Sequence, residues 1–388
     1  MKIFISTGEV SGDLQGGMLV SALKKNAGKR GIDLSIVGLG GDGMAAAGAR
    51  ILAYTTAIGS VGIIESIPFV FPTWKIQQKA REYLRSNPPD LLVLIDYLSP
   101  NLAIGSYVRK YLPQVPIIYY IGPQDWVWSP APQNTQRLLK ITDRLLAIFQ
   151  GEADYFAGKG MAVTWVGHPL LDRMQSAPSR DEARSLLGIE SDKLIVTLLP
   201  ASRQQELKYI LPVMGEAGQI LQGKYPDIHF LIPVSLAAYR STIEAGIKSY
   251  GLSATLVEEK RLEAIAAADL AITKSGTVNL EIALLNVPQV VIYRVHPLTM
   301  WFARNLLNFS LTFMSPPNLV LMEEIVPELL QEAATPERIV EESCSLLFNE
   351  IRREKMRADY ELMRETLGEV GVCDRAAVEI LAMGDHGE

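Results

Sequence analysis

Short apolar, β-rich runs alternate with longer helical stretches along this chain, and they do so in two successive sets. Residues 3–6, 34–37, 91–95, 117–121, 144–148 and 163–166 read as strands, with helical patterns such as 12–26 and 74–86 between them. Apolar runs separated by helix-length segments are the mark of a parallel sheet covered on both faces. The cycle restarts at 194–199 and continues through 229–233, 254–257, 270–273 and 289–293. Two such sets predict an α/β chain of two doubly wound, Rossmann-like domains with a cleft between them, and 388 residues suffice for both. Gly167-His168-Pro169 and Ala177-Pro178-Ser179 interrupt the periodicity, so the junction is expected near 172, giving domains 1–172 and 173–350. From about 336 to 381 the sequence reads as helix.

Charge and composition remove several classes of function. Thirty-seven basic against 43 acidic residues leave a net charge of −6, which argues against a nucleic-acid-binding surface. A substrate phosphate must then be met by a few placed cations and by helix N-termini. Cys344 and Cys373 lack metal-ligand spacing and fit a reducing compartment. Met1-Lys2 runs directly into the first strand without a secretory signal, and no apolar stretch reaches bilayer length. The expectation is a cytoplasmic protein, with contact to a membrane surface left open.

Several segments carry candidate chemistry. Ser6-Thr7-Gly8-Glu9-Val10-Ser11-Gly12-Asp13 joins a strand to a helix, and two carboxylates in so tight a loop favour a site over a plain capped turn. Gly38-Leu39-Gly40-Gly41-Asp42-Gly43 matches the dinucleotide fingerprint but follows the second strand. It also lacks the ribose-binding acid about 20 residues on, so Gly40 and Gly41 read as a close-approach loop and NAD ranks last. Asp96 closes the apolar strand 91–95, where an acid is placed for base chemistry or for capping through Ser99 and Asn101. From Ile63 to Phe71 the chain is apolar despite its glycine and proline, which suits either core or a surface that meets lipid. Ser202 and Arg203 follow a strand of the second set, where a guanidinium can meet a pyrophosphate or pair with Glu206. Lys274-Ser275-Gly276-Thr277 passes from strand to helix, with Ser275 as the expected N-cap and the amides of Gly276 and Thr277 open to a diphosphate. Glu281 follows Thr277 by four residues, on the same helix face and within reach of ribose hydroxyls.

Assembled, these residues resemble the lipid-A-disaccharide synthase family over nearly the whole chain. The resemblance rests on Gly8–Asp13, Gly38–Gly41, Gly62-Ile63-Ile64-Glu65, Asp96, Pro123-Gln124-Asp125-Trp126, Gly167-His168-Pro169, Pro200-Ala201-Ser202-Arg203, Ser275-Gly276-Thr277 with Glu281, Pro317-Asn318-Leu319 and Glu328–Gln331. It implies a GT-B glycosyltransferase (glycosyltransferase family 19), inverting, with neither metal nor cofactor. Such an enzyme moves a diacylated glucosamine from UDP onto a lipid monosaccharide 1-phosphate, forming a β-1,6 disaccharide on the inner face of the inner membrane. The resemblance further implies that Ser202, Arg203, Ser275–Thr277, Glu281 and Gln331 hold UDP. Glu9, Asp13 and Asp96 would serve catalysis, with Ser11, Gly12, Gly40, Gly41 and Trp126 at the sugar or acceptor. Helices of residues 351–388 would pack back on the first domain, and a homodimer stays open. The sequence departs from the family pattern at Ser99, Ser129, Gln150 and Ala201, three of them in the acceptor-facing half. Two rivals therefore remain, a UDP-N-acetylglucosamine 2-epimerase and a UDP-sugar-binding protein without catalysis.

Overall fold

The computed structural model describes residues 1–56, 69–127, 131–296, 299–301 and 312–384. The chain forms two compact units. One is built from Met1–Asp172 and the tail from Leu367 onward, the other from the described residues between Arg173 and Thr366.

The first unit holds a parallel sheet of β1 (Lys2–Ser6), β2 (Ser35–Gly40), β3 (Arg50–Tyr54), β4 (Leu91–Ile95), β5 (Ile117–Tyr120), β6 (Arg144–Ala147) and β7 (Val163–Trp165), in the order β3-β2-β1-β4-β5-β6-β7. Strand side chains alternate between faces, and the two cores follow that period. Ile3, Ile5, Val93 and Ile95 pack with Leu19 and Leu23 of helix Glu9–Arg30 and with Ala376 and Ile380 of helix Val372–Gly384. On the other face Phe4, Leu92 and Leu94 meet Ala80 and Leu84, Leu102 and Val108, Leu138, and Phe156. These come from helices Val70–Ser86, Leu98–Tyr111, Pro132–Ile141 and Gln150–Ala157 respectively. All five residues of β4 are buried, as a central strand covered on both sides requires.

Asp172 fastens the returning tail. Its carboxylate accepts the backbone N–H groups of Gly371 at 2.6 Å, Val372 at 3.1 Å and Cys373 at 2.8 Å, filling the N-terminal donors of the last helix. Arg144 adds an ion pair to Glu379 at 2.5 Å. The long expected tail helix is instead three helices, Pro336–Phe348, Glu350–Thr366 and Val372–Gly384, of which only the last belongs to the first unit. Positive φ at Gly368 and Gly371 turns the chain between the second and third.

The second unit repeats the plan with β8 (Ile195–Leu199), β9 (His229–Pro233), β10 (Ala254–Val257), β11 (Leu270–Lys274), β12 (Gln289–Tyr293) and β13 (Glu328–Leu330), all parallel, in the order β10-β9-β8-β11-β12-β13. Helices Arg180–Leu187, Arg261–Ala266 and Val278–Leu284 contribute Ala183, Ile265 and Ile282 to a core with Ile195, Leu231 and Ala271. Strands β3 and β13 are additions to the sequence expectation. Among the described residues, no helix is long and apolar enough to cross a membrane.

Candidate functional site

Each sheet reverses its winding once, between β1 and β4 in the first unit and between β8 and β11 in the second. An open α/β sheet offers its ligand crevice beyond the carboxyl ends of the strands at that reversal.

In the first unit, the β1 end leads into Glu9, Ser11, Gly12 and Asp13, and the β4 end into Asp96. The two ends are tied together. Ser6 Oγ donates to Asn101 Oδ1 at 2.7 Å, and Asn101 Nδ2 donates to the carbonyls of Ile95 at 3.0 Å and Asp96 at 2.7 Å. The Tyr119 hydroxyl reaches the same Asp96 carbonyl at 2.5 Å. Four non-glycine residues here sit in the left-handed region, Glu9 (φ 60°), Asp96 (46°), Tyr97 (42°) and Ile121 (63°). Each costs about 1–3 kcal/mol, and strain gathered at one sheet edge points to a working surface. The Asp96 side chain is exposed, whereas Asp13 is buried. Burial holds the Tyr97 hydroxyl above its ordinary pKa, with the Glu9 charge adding to the shift, so the acid and the phenol share this edge.

Asp13 does not stand open to a substrate. Its carboxylate accepts the N–H groups of Gly41 at 2.6 Å, Gly43 at 2.8 Å and Met44 at 3.1 Å, anchoring helix Asp42–Ala46. The same geometry accounts for the glycines. A Cβ on Gly40 would lie 2.4 Å from Met44 Sδ, and one on Gly41 would lie 2.7 Å from Asp13 Oδ2. Their close approach is to the protein's own atoms. Trp126 sits in the turn Gln124–Trp126 beyond β5, with its ring 5.7 Å from Phe149, which in turn lies 5.2 Å from His168. Burial lowers the His168 pKa to about 3, so the ring is neutral. Trp128 and Ser129 lie outside the described residues, as does most of the run from Ile63 to Phe71. Of its described residues Phe69 is half-buried, whereas Val70 and Phe71 are exposed at 64% and 61%, and Trp74 stacks on Phe71 at 5.9 Å.

In the second unit, Ser202 and Arg203 follow β8, and Ser275, Gly276 and Thr277 follow β11, its neighbour. The alternative partner considered for Arg203 is present. Glu206 lies 3.4 Å from its guanidinium and accepts the N–H groups of Ser202 at 2.6 Å and Arg203 at 3.1 Å. Two expectations change at β11. Ser275 does not cap the helix, since its hydroxyl donates to the Met314 carbonyl at 2.8 Å. The Gly276 amide is not open, because it donates to Asn279 Oδ1 at 2.7 Å. Glu281 is 2% exposed and lies between Arg173, which donates to Oε1, and Arg261 Nη2, 2.9 Å from the same oxygen. Gln331, beyond β13, has φ 49° and is 7% exposed. Its Nε2 is buried without a partner among the described residues. An orphaned buried donor is costly and suits a bound acceptor.

Sequence reasoning passed over three of these groups. Arg173 and Arg261 stand 108 and 20 residues from Glu281, and nothing in the local pattern joins them. Glu152 is not among the expected site residues, yet it is 1% exposed at the ends of β5 and β6.

The sequence profile of the lipid-A-disaccharide synthetase family matches residues 3–382. A lipid-A-disaccharide synthase from Gloeothece citriformis is 63% identical, covering 98% of this chain and 99% of the relative. One from a Synechocystis species is 57% identical, covering 98% and 97%. Among solved structures, a UDP-N-acetylglucosamine 2-epimerase from Neisseria meningitidis bound to UDP-GlcNAc superposes with a TM-score of 0.62 at 13% identity, covering 98% of this chain and 100% of that one. A UDP- and glucose-bound protein from Anabaena gives 0.56 at 13%, covering 98% and 99%. At that identity the likeness shows the fold alone, the GT-B arrangement of two Rossmann-like units. The family profile over residues 3–382 and the full-length relatives at 63% and 57% identity establish that the chain belongs to the lipid-A-disaccharide synthase family of glycosyltransferases.

Proposed function

We propose that the protein transfers a 2,3-diacylated glucosamine from UDP to a hydroxyl of a lipid monosaccharide 1-phosphate, giving a β-1,6-linked disaccharide with inversion at the anomeric carbon. The observation that carries the reading is the placement of Ser202, Arg203 and the Ser275–Thr277 loop at the β8/β11 reversal, within a full-length family match. The acceptor oxygen bonds to the anomeric carbon as the bond from that carbon to the diphosphate oxygen breaks. Asp96 takes the hydroxyl proton, and Arg203 meets the charge that grows on the departing UDP. Asp96 is preferred over Asp13 because three backbone N–H groups already hold the Asp13 carboxylate. Glu9, Ser11 and Gly12 line the same sheet edge for the sugar. Ribose hydroxyls reach Glu281 when Arg173 or Arg261 swings from it, and Gln331 offers its buried amide to the nucleotide.

Acylated substrates reside in a bilayer, and the first unit supports a lipid-facing role. Helices Val70–Ser86, Leu98–Tyr111 and Pro132–Ile141 pack side by side and carry eight cations against one acid, in a chain of net charge −6. Val70, Phe71 and Trp74 project from the first of them. Aromatic rings beside cations suit an anionic membrane surface.

The test is mass spectrometry of a reaction containing UDP-2,3-diacylglucosamine, the matching lipid 1-phosphate and EDTA. A tetra-acylated disaccharide 1-phosphate with free UDP is expected. If a new sugar nucleotide forms from UDP-GlcNAc alone, the epimerase reading replaces this one. UDP binding without any product leaves a binding protein.

A further inference from the structure

We infer that Glu152 is a positioning residue for the acceptor-side chemistry, holding the loop after β5 on which the backbone of Asp96 rests. The inference builds on the assignment of Asp96 as base but has its own geometry. Glu152 Oε1 accepts the Gly122 N–H at 2.6 Å, and Oε2 accepts those of Ile148 at 2.9 Å and Phe149 at 3.3 Å. One buried carboxylate thus gathers the ends of β5 and β6. Gly122 adjoins Ile121, a residue in the left-handed region. The Asp96 N–H donates to the carbonyls of Tyr120 at 3.3 Å and Ile121 at 3.2 Å, while Tyr119 donates to the Asp96 carbonyl. The peptide groups flanking the proposed base are therefore held by the segment that Glu152 holds. A larger residue at Gly122 would displace this carboxylate, because a Cβ there would lie 2.6 Å from Glu152 Oε1.

An ionised acid in this place works against its own burial. Desolvation, with a smaller push from the Asp96 charge, outweighs the downward pull of the three N–H bonds and leaves the Glu152 pKa raised to about 7. Protonation turns one carboxylate oxygen toward donor character against N–H groups, loosening the hold. Of the groups around it, Tyr119 and Tyr120 are pushed upward by burial and stay protonated, and His168 stays neutral. Asp96 is the carboxylate whose charge adds to its upward shift.

Glu152→Gln keeps the volume and sets an amide NH2 against an N–H donor. The variant is expected to lose about tenfold to a hundredfold in kcat, the scale of a misplaced catalytic group. Its KM for UDP-diacylglucosamine should stay within twofold. Wild-type kcat should rise between pH 6 and 8 with a midpoint near 7, and the variant should lose that limb. A variant with wild-type kcat overturns the inference, and so does a flat wild-type profile, which can be measured even if the variant fails to fold. Asp96→Asn run in parallel separates the two claims. If it is active while Glu152→Gln is impaired, the base assignment fails and the role of Glu152 in ordering this edge stands.

Discussion

Exchanging Asp13 and Asp96 for asparagine, one at a time, separates two carboxylates on one sheet edge with different roles. Asp13 holds three N–H groups at 2.6, 2.8 and 3.1 Å. Asparagine can keep its oxygen toward Gly41 and Met44, but its NH2 then faces the Gly43 N–H. An unmade buried hydrogen bond costs about 1–3 kcal/mol, and losing the charge weakens the two that remain, so unfolding should be easier by about 2–4 kcal/mol. Asp96 is exposed, and asparagine tolerates its left-handed backbone, so stability should move by less than about 0.5 kcal/mol. Removing a general base should instead cost kcat about 10²–10⁴-fold, or roughly 3–5 kcal/mol of barrier. Urea unfolding followed by tryptophan fluorescence reads the first effect, and disaccharide formation by mass spectrometry reads the second. Asp96→Asn with kcat within tenfold of wild type would refute the base assignment. Asp13→Asn with an unmoved urea midpoint would refute the anchoring role.

Arg203→Ala should raise the Kd for UDP at least about tenfold, since a charge-assisted phosphate contact is worth about 1.5–3 kcal/mol, and calorimetry giving an unchanged Kd would remove Arg203 from the donor site. Phe71→Ser with Trp74→Ser should reduce sedimentation with vesicles of anionic phospholipid while leaving UDP affinity unchanged, and undiminished co-sedimentation would place lipid contact elsewhere. His168 and Glu152 should drive stability in opposite directions with pH. The folded His168 pKa of about 3 lies below its ordinary 6.5, so its contribution is present above 6.5 and is lost as pH falls toward 3. Glu152, raised to about 7 from 4.5, contributes below 4.5 and loses that contribution as pH rises through 7. Between pH 7 and 4.5 each effect is about 3 kcal/mol and they nearly cancel. His168→Gln should therefore grow more stable on acidification over that range, and a variant that tracks the wild type in pH-dependent urea titrations would contradict the assignment.

The sequence already contained what sets the fold and the two sheet edges. Strand β4 is apolar along its length, and β11 from Leu270 to Ile272, because both faces are covered, and that signal is local. The edge strand β3 is only partly buried, and β13 has three residues, so neither leaves a recognisable run. The glycines at 40 and 41 were legible as a place of close approach, but a sequence cannot say whether the approaching atom belongs to a ligand or to Met44 and Asp13. The same ambiguity governs the acids. Asp13, Glu152, Asp172 and Glu206 each accept two or more backbone N–H groups, and each fixes a loop or a helix start. For Asp13 and Asp172 the donors lie far along the chain, as far as 201 residues for Asp172 and Cys373, so in sequence these acids look no different from Asp96; Glu206 and Glu152 also take donors three and four residues away. Acids that fix backbone and the acid proposed to move a proton gather at the same sheet edges for one physical reason. The carboxyl ends of parallel strands lead into loops whose N–H groups have lost their ladder partners, and a carboxylate can satisfy several of them at once. The loops held in this way then carry the few side chains, such as Asp96, that remain turned to solvent.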